Sequence, residues 1–332
     1  MATTATRLSD VIKPERWNEY TTEDSTVKQA IWNSGVMVSN ELMNTAAAGG
    51  GDTYSIPYWK DLPDGEPNYS NDDPADMATP DKIGAGKQVV RTAQLNNAWS
   101  AMDLAAELAG SDPIARIRSR IADWWIRQLQ SRLVATIKGV YNANAANDNG
   151  DMAFITDTPF DATAAIEGAS TMGDRSDEFT AILVHSAVRK KMQLNDLIQY
   201  IPDSSGGVIG VFRGMAVITD DGMPVIKENG KKDRYVSCLL GGGSIGYGNG
   251  NPRVSEEVDR IPLAGKGGGQ EILVSRRSVV IHPLGFNWKG TTESDVSPTL
   301  ADLELATNWE RKYNRRHVPL AFVVAPIEAD TH

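Results

Sequence analysis

The chain has 332 residues, 41% of them hydrophobic and 23% charged, ordinary for a folded protein and enough for a sizeable core in two domains or one elongated domain. A formal net charge of -10 argues against a protein built to wrap nucleic acid, and the single Cys238 excludes an internal disulfide framework and a paired-cysteine metal site. There is no N-terminal apolar run and no stretch near the ~20 apolar residues that a membrane-spanning helix needs, so a soluble protein made in the cytoplasm, with no membrane partner, is expected.

Residues 1–26 are polar, broken by Pro14, and carry a few large apolar anchors: Leu8, Val11, Ile12, Trp17 and Tyr20. This pattern predicts an extended arm that docks on something else. Residues 26–45 predict a weak helix, with Gly35 in its middle, and 46–52 a flexible break. In GDTYSIPYWKDL (51–62), Tyr54, Ile56 and Tyr58 alternate with smaller or polar residues, the period of a strand, while Pro57 confines it to an edge. Residues 63–81 are turn and loop chemistry throughout, and 87–104 are extended again, at least at their start. Segment 51–98 is therefore a hairpin with a long polar tip. Two strands alone are marginal in water, so it needs a neighbour to lie on.

The segment 112–143 predicts one helix of about 30 residues, ~45 Å long. Ser111 or Asp112 can cap it, and Pro113 suits its first turn. Ile114, Ile117, Ile121, Trp125, Leu129, Leu133 and Ile137 form one apolar stripe, with Arg116, Arg120 and Arg127 largely opposite. Six basic residues (Arg116, Arg118, Arg120, Arg127, Arg132, Lys138) against Asp112 and Asp123 make the segment +4 and the remainder -14. This local basic face is the one hint of nucleic acid. Of the adjacent tryptophans, Trp125 lies on the stripe and is assigned to the core rather than to base stacking.

Beyond 143 the character changes. Helices are predicted over 160–174 and 187–198, and strands over 179–186, within 210–225 and within 234–250, so that 160–250 forms a compact mixed unit. Residues 270–288 return to strands, 297–313 predict a helix begun by Ser297 and Pro298, and 317–327 a final apolar strand.

Catalytic motifs fail on context. GGGSIG (241–246) satisfies both a dinucleotide-loop spacing and a nucleophile-elbow spacing at Ser244, but YGNGNPR follows it, where no helix starts. AGKGGG (264–269) lacks the phosphate-loop glycine, that position being Arg260, and no Ser or Thr follows Lys266. The acid pairs Glu256–Glu257 and Asp220–Asp221 are expected to be solvated, and no histidine spacing suits zinc. No cofactor, metal or enzymatic activity is implied.

The order of parts resembles the major capsid protein of tailed bacteriophages, with the Hong Kong 97-like fold, over roughly 8–327. LSDVIKPERWNEY looks like that family's N-terminal arm, and YSIPYWKDL with KQVVRTAQLNNAW like the two strands of its extended loop. The helix at 112–143 looks like its spine helix. FTAILVHSAVRKKM with FRGMAVITDDGMP resembles its axial domain, and TLADLELATNWERKYNRRHVPLAFVV its closing helix and strand. The resemblance implies an α+β chain divided into an arm (1–50), an extended loop (51–98), a peripheral domain with the spine helix (99–158 and 251–332) and an axial domain (159–250). It implies pentamers and hexamers closing into an icosahedral head around double-stranded DNA. Scaffolding protein and portal would take part, a decoration protein would be a further partner, and the virion would be the destination. Trp17, Tyr54, Tyr58, Trp59 and Lys60 would make assembly contacts. Arg116, Arg120 and Arg127 would face neighbouring acids or, without sequence specificity, the packaged DNA. No long scaffold-like domain precedes the arm, so the scaffold is expected to be separate or already removed. Some relatives cross-link a loop lysine to a neighbour; Lys60, Lys82 and Lys87 lie in or beside the hairpin, but no catalytic glutamate is identified. An encapsulin-like compartment, and an enzyme using the loop 241–250, are the alternative readings.

Overall fold

The computed structural model describes residues 37–39, 41–49, 51–62, 65–109, 112–202, 208–227, 232–290 and 297–328. The expected arm over 1–26, including Trp17, lies outside them. The long helix runs over Pro113–Asn147, four residues beyond the expected end. Its N-cap is Asp112, whose carboxylate accepts from the Ile114 amide at 2.9 Å, with Pro113 in the first turn. The asparagines beyond the expected end are tolerated because Asn144 is fully enclosed, its Nδ2 donating to Asp151 at 2.7 Å and its Oδ1 accepting from the Met152 amide at 3.2 Å. Left-handed Asn149 and Gly150 then turn the chain away.

Two sheets flank this helix. One has five strands, in the order Met37–Ser39, Ile245–Gly250, Gln270–Pro283 and Glu256–Ile261, with Ala93–Met102 paired to the other side of Gln270–Pro283. The other has eight, in the order Ala153–Ile155, Leu320–Pro326, Arg234–Gly241, Phe179–Val184, Met215–Thr219, Val208–Phe212 and Gln199–Pro202, with Val225–Ile226 paired to Arg234–Gly241. The expected axial segment 159–250 thus contributes most of the second sheet but not its strands Ala153–Ile155 and Leu320–Pro326, and its strand Ile245–Gly250 belongs to the first sheet. Sheet membership follows burial. Leu320–Pro326 is buried at every residue, the pattern of an interior strand paired on both sides.

The N-terminal half of the helix lies on the five-stranded sheet, where Ile121 and Trp125 pack with Leu273. Its C-terminal half lies on the eight-stranded sheet, where Leu133, Ile137 and Val140 join Leu183, Val236 and Phe322. Helices Ala162–Ser170 and Ser186–Leu194 cover the opposite face through Ala164, Ala165, Val188 and Met192. One helix thereby braces both sheets.

Other expectations are corrected locally. The described part of 26–45 forms the strand Met37–Ser39 and the helix Glu41–Ala48 instead of a single helix, because parallel pairing with Ile245–Tyr247 outweighs a weak propensity. The predicted helix over 297–313 shortens to Leu300–Glu304. Thr299, in a capping box with Asp302, starts it later than Ser297, and the Trp309 indole is drawn into the core to donate to the Leu303 carbonyl at 2.8 Å. Trp309–Arg311 then pairs with Phe286–Trp288 as a small ribbon. The strands Gln199–Pro202 and Glu256–Ile261 had no sequence expectation; both are short, exposed edge strands without an apolar alternation.

Candidate assembly surfaces

The hairpin pairs Thr53–Trp59 with Ala85–Arg91, in register from Thr53↔Arg91 to Trp59↔Ala85. Its base is held by its own chain. Val90 is fully buried with Met43 and Val280, and Tyr54 and Ile56 pack against that cluster. The Val89 amide donates to Asn287 Oδ1 at 2.9 Å, and Gln88 Nε2 to the Pro283 carbonyl at 3.3 Å. Tyr58 meets Tyr313 edge to face at 4.7 Å, and Gly86 sits beneath its ring, where a Cβ would come within 2.6 Å of Tyr58 Cζ. The hairpin therefore does not depend on a neighbour along its whole length.

The tip is different. Trp59 is 72% exposed, Tyr69 79% and Met77 84%, and Leu62 and Ile83 are exposed as well. The Lys60 amide donates to the Gly84 carbonyl at 2.8 Å and its stem crosses Gly84, leaving the side chain in solvent. Of the expected assembly contacts, Tyr54 and Tyr58 are thus half-buried within the chain, Trp59 and Lys60 are free at the surface, and Trp17 is outside the described residues.

The arginines separate by position. Arg116 is exposed, Arg120 pairs with Asp123 at 3.6 Å, and Arg127 is half-buried beside a cleft of about 870 Å³ between the long helix, helix Ser186–Leu194 and the turn at 220–222. Arg132 is buried, donates to the Pro298 carbonyl at 2.9 Å, and is pushed down to about 10 by burial. Lys138 pairs with Glu304 at 2.6 Å. The basic face counted along 112–143 therefore shrinks to the N-terminal half of the helix.

The acid pair Asp220–Asp221 is solvated in part, with Asp221 exposed and Asp220 half-buried, and it also holds a turn together. Asp220 accepts from Gln130 of the long helix and from the Gly222 amide, and Asp221 accepts from the Ser186 amide at the start of the adjoining helix. An aspartate pair immediately before a glycine, ahead of an apolar run, is the signal that marks such a turn. Ser244 is fully buried in a turn that leads into a strand, not a helix. The glycines that follow have a packing role: a Cβ at Gly248 would lie 2.1 Å from the Met43 carbonyl oxygen and one at Gly250 2.2 Å from that of Ala47, so helix Glu41–Ala48 rests directly on this strand. Cys238 is fully buried and its thiol is pushed up by burial, which leaves it inert. Among the described residues no group of three His, Cys, Asp or Glu side chains is placed to hold a metal, and no helix is long and apolar enough to cross a membrane.

One helix bracing two sheets, with a separate hairpin, is an arrangement that solved phage head structures share. The chain matches the cyanophage Pam1 capsid with a TM-score of 0.60 at 10% identity, over 99% of both chains. It matches the capsid of Ralstonia phage GP4 at 0.57 and 11% identity, over 99% of both, and the head of Helicobacter pylori bacteriophage KHP40 at 0.54 and 12%, over 97% of both. The fold is thus the Hong Kong 97-like α+β fold. No family profile matches the chain. A curated relative does: the major capsid protein of Bacillus phage SPP1 is 36% identical over 318 residues, 94% of this chain and 96% of that protein. The chain belongs to the major capsid proteins of tailed phages, and its place is the virion.

Proposed function

We propose that copies of this chain form pentamers and hexamers that close into an icosahedral head enclosing double-stranded DNA, each copy reaching the next through its hairpin tip. One observation carries this reading: five large apolar side chains, Trp59, Leu62, Tyr69, Met77 and Ile83, stand exposed on a segment whose base is well packed. Apolar groups concentrated on one projection mark a surface that a partner covers. Trp59 and Lys60 are its proposed contact residues, with Trp17 from the arm. Tyr54 and Tyr58 support the contact by fixing the base. Scaffolding protein, portal and a decoration protein are the further partners of such a shell, and the arginines of the long helix are its candidate contacts to DNA. No catalytic role is assigned to Ser244 or Cys238, both of which are enclosed. Deletion of 63–81 tests the proposal: a folded, soluble subunit that forms no closed particles by electron microscopy is expected, and normal particles would overturn it.

A further inference from the structure

We infer that the open edge of strand Glu256–Ile261 pairs antiparallel with the same strand of a second copy, across a two-fold axis at Val258. This contact uses neither the hairpin nor the long helix, so it goes beyond the reading above and is tested apart from it. The strand pairs with Gln270–Ser275 in unbroken register, and no described strand lies on its other side. All six of its residues are exposed. Edges of this kind are normally blunted by lysine, proline or a bulge. Strand Thr53–Trp59 contains Pro57 and strand Gln199–Pro202 ends in Pro202, whereas Glu256–Ile261 has none of the three devices.

Two bonds fix which backbone groups face outward. The Ser255 carbonyl accepts from the Arg276 amide at 2.8 Å, so Ser255 bonds within the ladder, and by alternation so do Glu257, Asp259 and Ile261. The Arg260 amide instead donates to its neighbour's carboxylate, Asp259 Oδ1, at 2.8 Å. The N–H and C=O groups of Glu256, Val258 and Arg260 therefore point away from the sheet. The opening is bounded at both ends: the Arg276 side chain donates to the Val254 carbonyl at 3.4 Å, and Pro262 has no N–H. Pairing centred on Val258 sets Glu256 opposite the partner's Arg260, Arg260 opposite the partner's Glu256, and Val258 opposite the partner's Val258. Each of these pairs exchanges two backbone hydrogen bonds. Val258 is 49% exposed, and the Arg260 guanidinium, 60% exposed, keeps donors beyond its pairing with Asp103. Apolar at the axis and oppositely charged on either side, the strand complements itself, as a two-fold contact requires. A shift of two residues either way loses both ion pairs, and one of the shifts sets Pro262 against Glu256. On the other face Glu257 meets the partner's Asp259. Arg276, 2.8 Å from Glu257, offsets one of these charges, and Asp259 remains as a brake on the pairing.

Val258→Cys tests the axis. Residues paired in this way lie ~5.5 Å apart between Cα atoms, within disulfide reach. Val254, also exposed, would lie ~27 Å from its counterpart. Under mild oxidation of the purified full chain with diamide, Val258→Cys should give about tenfold more covalent dimer on a non-reducing gel than Val254→Cys. Sedimentation should show Val258→Pro, which removes only an outward N–H, associating about tenfold more weakly than wild type at an unchanged melting temperature. Asp259→Asn should associate about threefold more strongly, because the brake is gone. Both readouts come from soluble chains, so they hold whether or not shells close. Equal cross-linking of the two cysteine variants, or unaltered association of Val258→Pro, would overturn the inference.

Discussion

The two halves of the long helix carry the same apolar repeat and meet opposite fates. From Ile114 to Leu129 one stripe is buried and the other faces hold Arg116, Ser119, Arg120, Asp123 and Arg127, exposed or half-buried. From Arg132 to Ile137 every residue is buried. The stripe does not make this difference; the residues off the stripe do. In the second half, apart from Arg132 and Lys138, they are Val134, Ala135, Thr136 and Gly139, small or apolar, so another layer can close over them. Gly139 marks the closest approach: a Cβ there would meet the Leu303 carbonyl oxygen at 1.9 Å and the Trp309 indole nitrogen at 2.6 Å. A periodic stripe therefore tells that a helix is anchored, and the intervening residues tell how many sides are covered.

The sharpest way to break this comparison is to remove the anchor of the one-sided half. Trp125 is 3% exposed, donates its indole N–H to Ser275 Oγ at 2.9 Å, and stands at the end of an edge-to-face series with Trp124 and Trp99. Trp125→Ala should cost ~3–5 kcal/mol in the free subunit, measured by chemical denaturation. A loss below 1 kcal/mol, on the order of a surface change, would mean that the half covered on one side is not anchored there. In the enclosed half the comparison is tested by adding bulk instead. Gly139→Ala should cost ~3 kcal/mol, because the obstructing atoms include a carbonyl oxygen that cannot rotate away, whereas Ala122→Leu on the exposed face should stay within ~0.5 kcal/mol. Equal losses from the two additions would erase the distinction between the halves.

The enclosed region also predicts a pH response. His282 is buried beside Trp309, its ring 5.9 Å away, with Nε2 at 2.8 Å from the Phe286 carbonyl. Burial, partly opposed by that hydrogen bond, pushes it from 6.5 down to about 4. Below 6.5 the unfolded chain takes up a proton that the folded chain refuses until about 4. Stability from this group is thus complete above 6.5 and falls as pH drops, by ~1.4 kcal/mol per unit and ~3 kcal/mol in all. Denaturation midpoints between pH 7 and 4, roughly the window of this titration, should show the slope, and His282→Gln should reduce it by one proton. An unaltered slope in that variant would place the titration elsewhere.

Much of this was legible in the residues. The cap at Asp112, the stripe from Ile114 to Ile137 and the alternation Tyr54–Ile56–Tyr58 are local signals, and they survive because tertiary packing agrees with them. What was illegible depends on partners distant in sequence. The count of six cations on the helix treated Arg132 as surface, though it is enclosed against Pro298, more than 160 residues away in the chain. The glycine-rich run 241–250 resembled a ligand loop because its reason, the backbone of helix Glu41–Ala48 lying on Gly248 and Gly250, comes from two hundred residues earlier. The same distance hid the anchoring of the hairpin base through Asn287 and Pro283. The exposed tip was easier to foresee, since a polar, proline-rich segment with isolated aromatic side chains has no means of covering them itself.

The smallest expected effect on the free subunit is also the one that separates base from tip. Trp59 and Val90 lie on the two strands of the same hairpin, yet Trp59 is 72% exposed and Val90 is fully buried. Val90→Ala removes packing from the cluster with Met43 and Val280 and should cost ~2 kcal/mol. Trp59→Ala removes a larger side chain and should change the stability of the free subunit by less than ~0.5 kcal/mol, because the described residues leave it largely exposed. Its effect belongs to assembly: particle yield should fall while the melting temperature holds. If instead Trp59→Ala lowers the melting temperature as far as Val90→Ala does, the tip is packed within its own subunit, and the proposed reach from one copy to the next loses its strongest apolar contact.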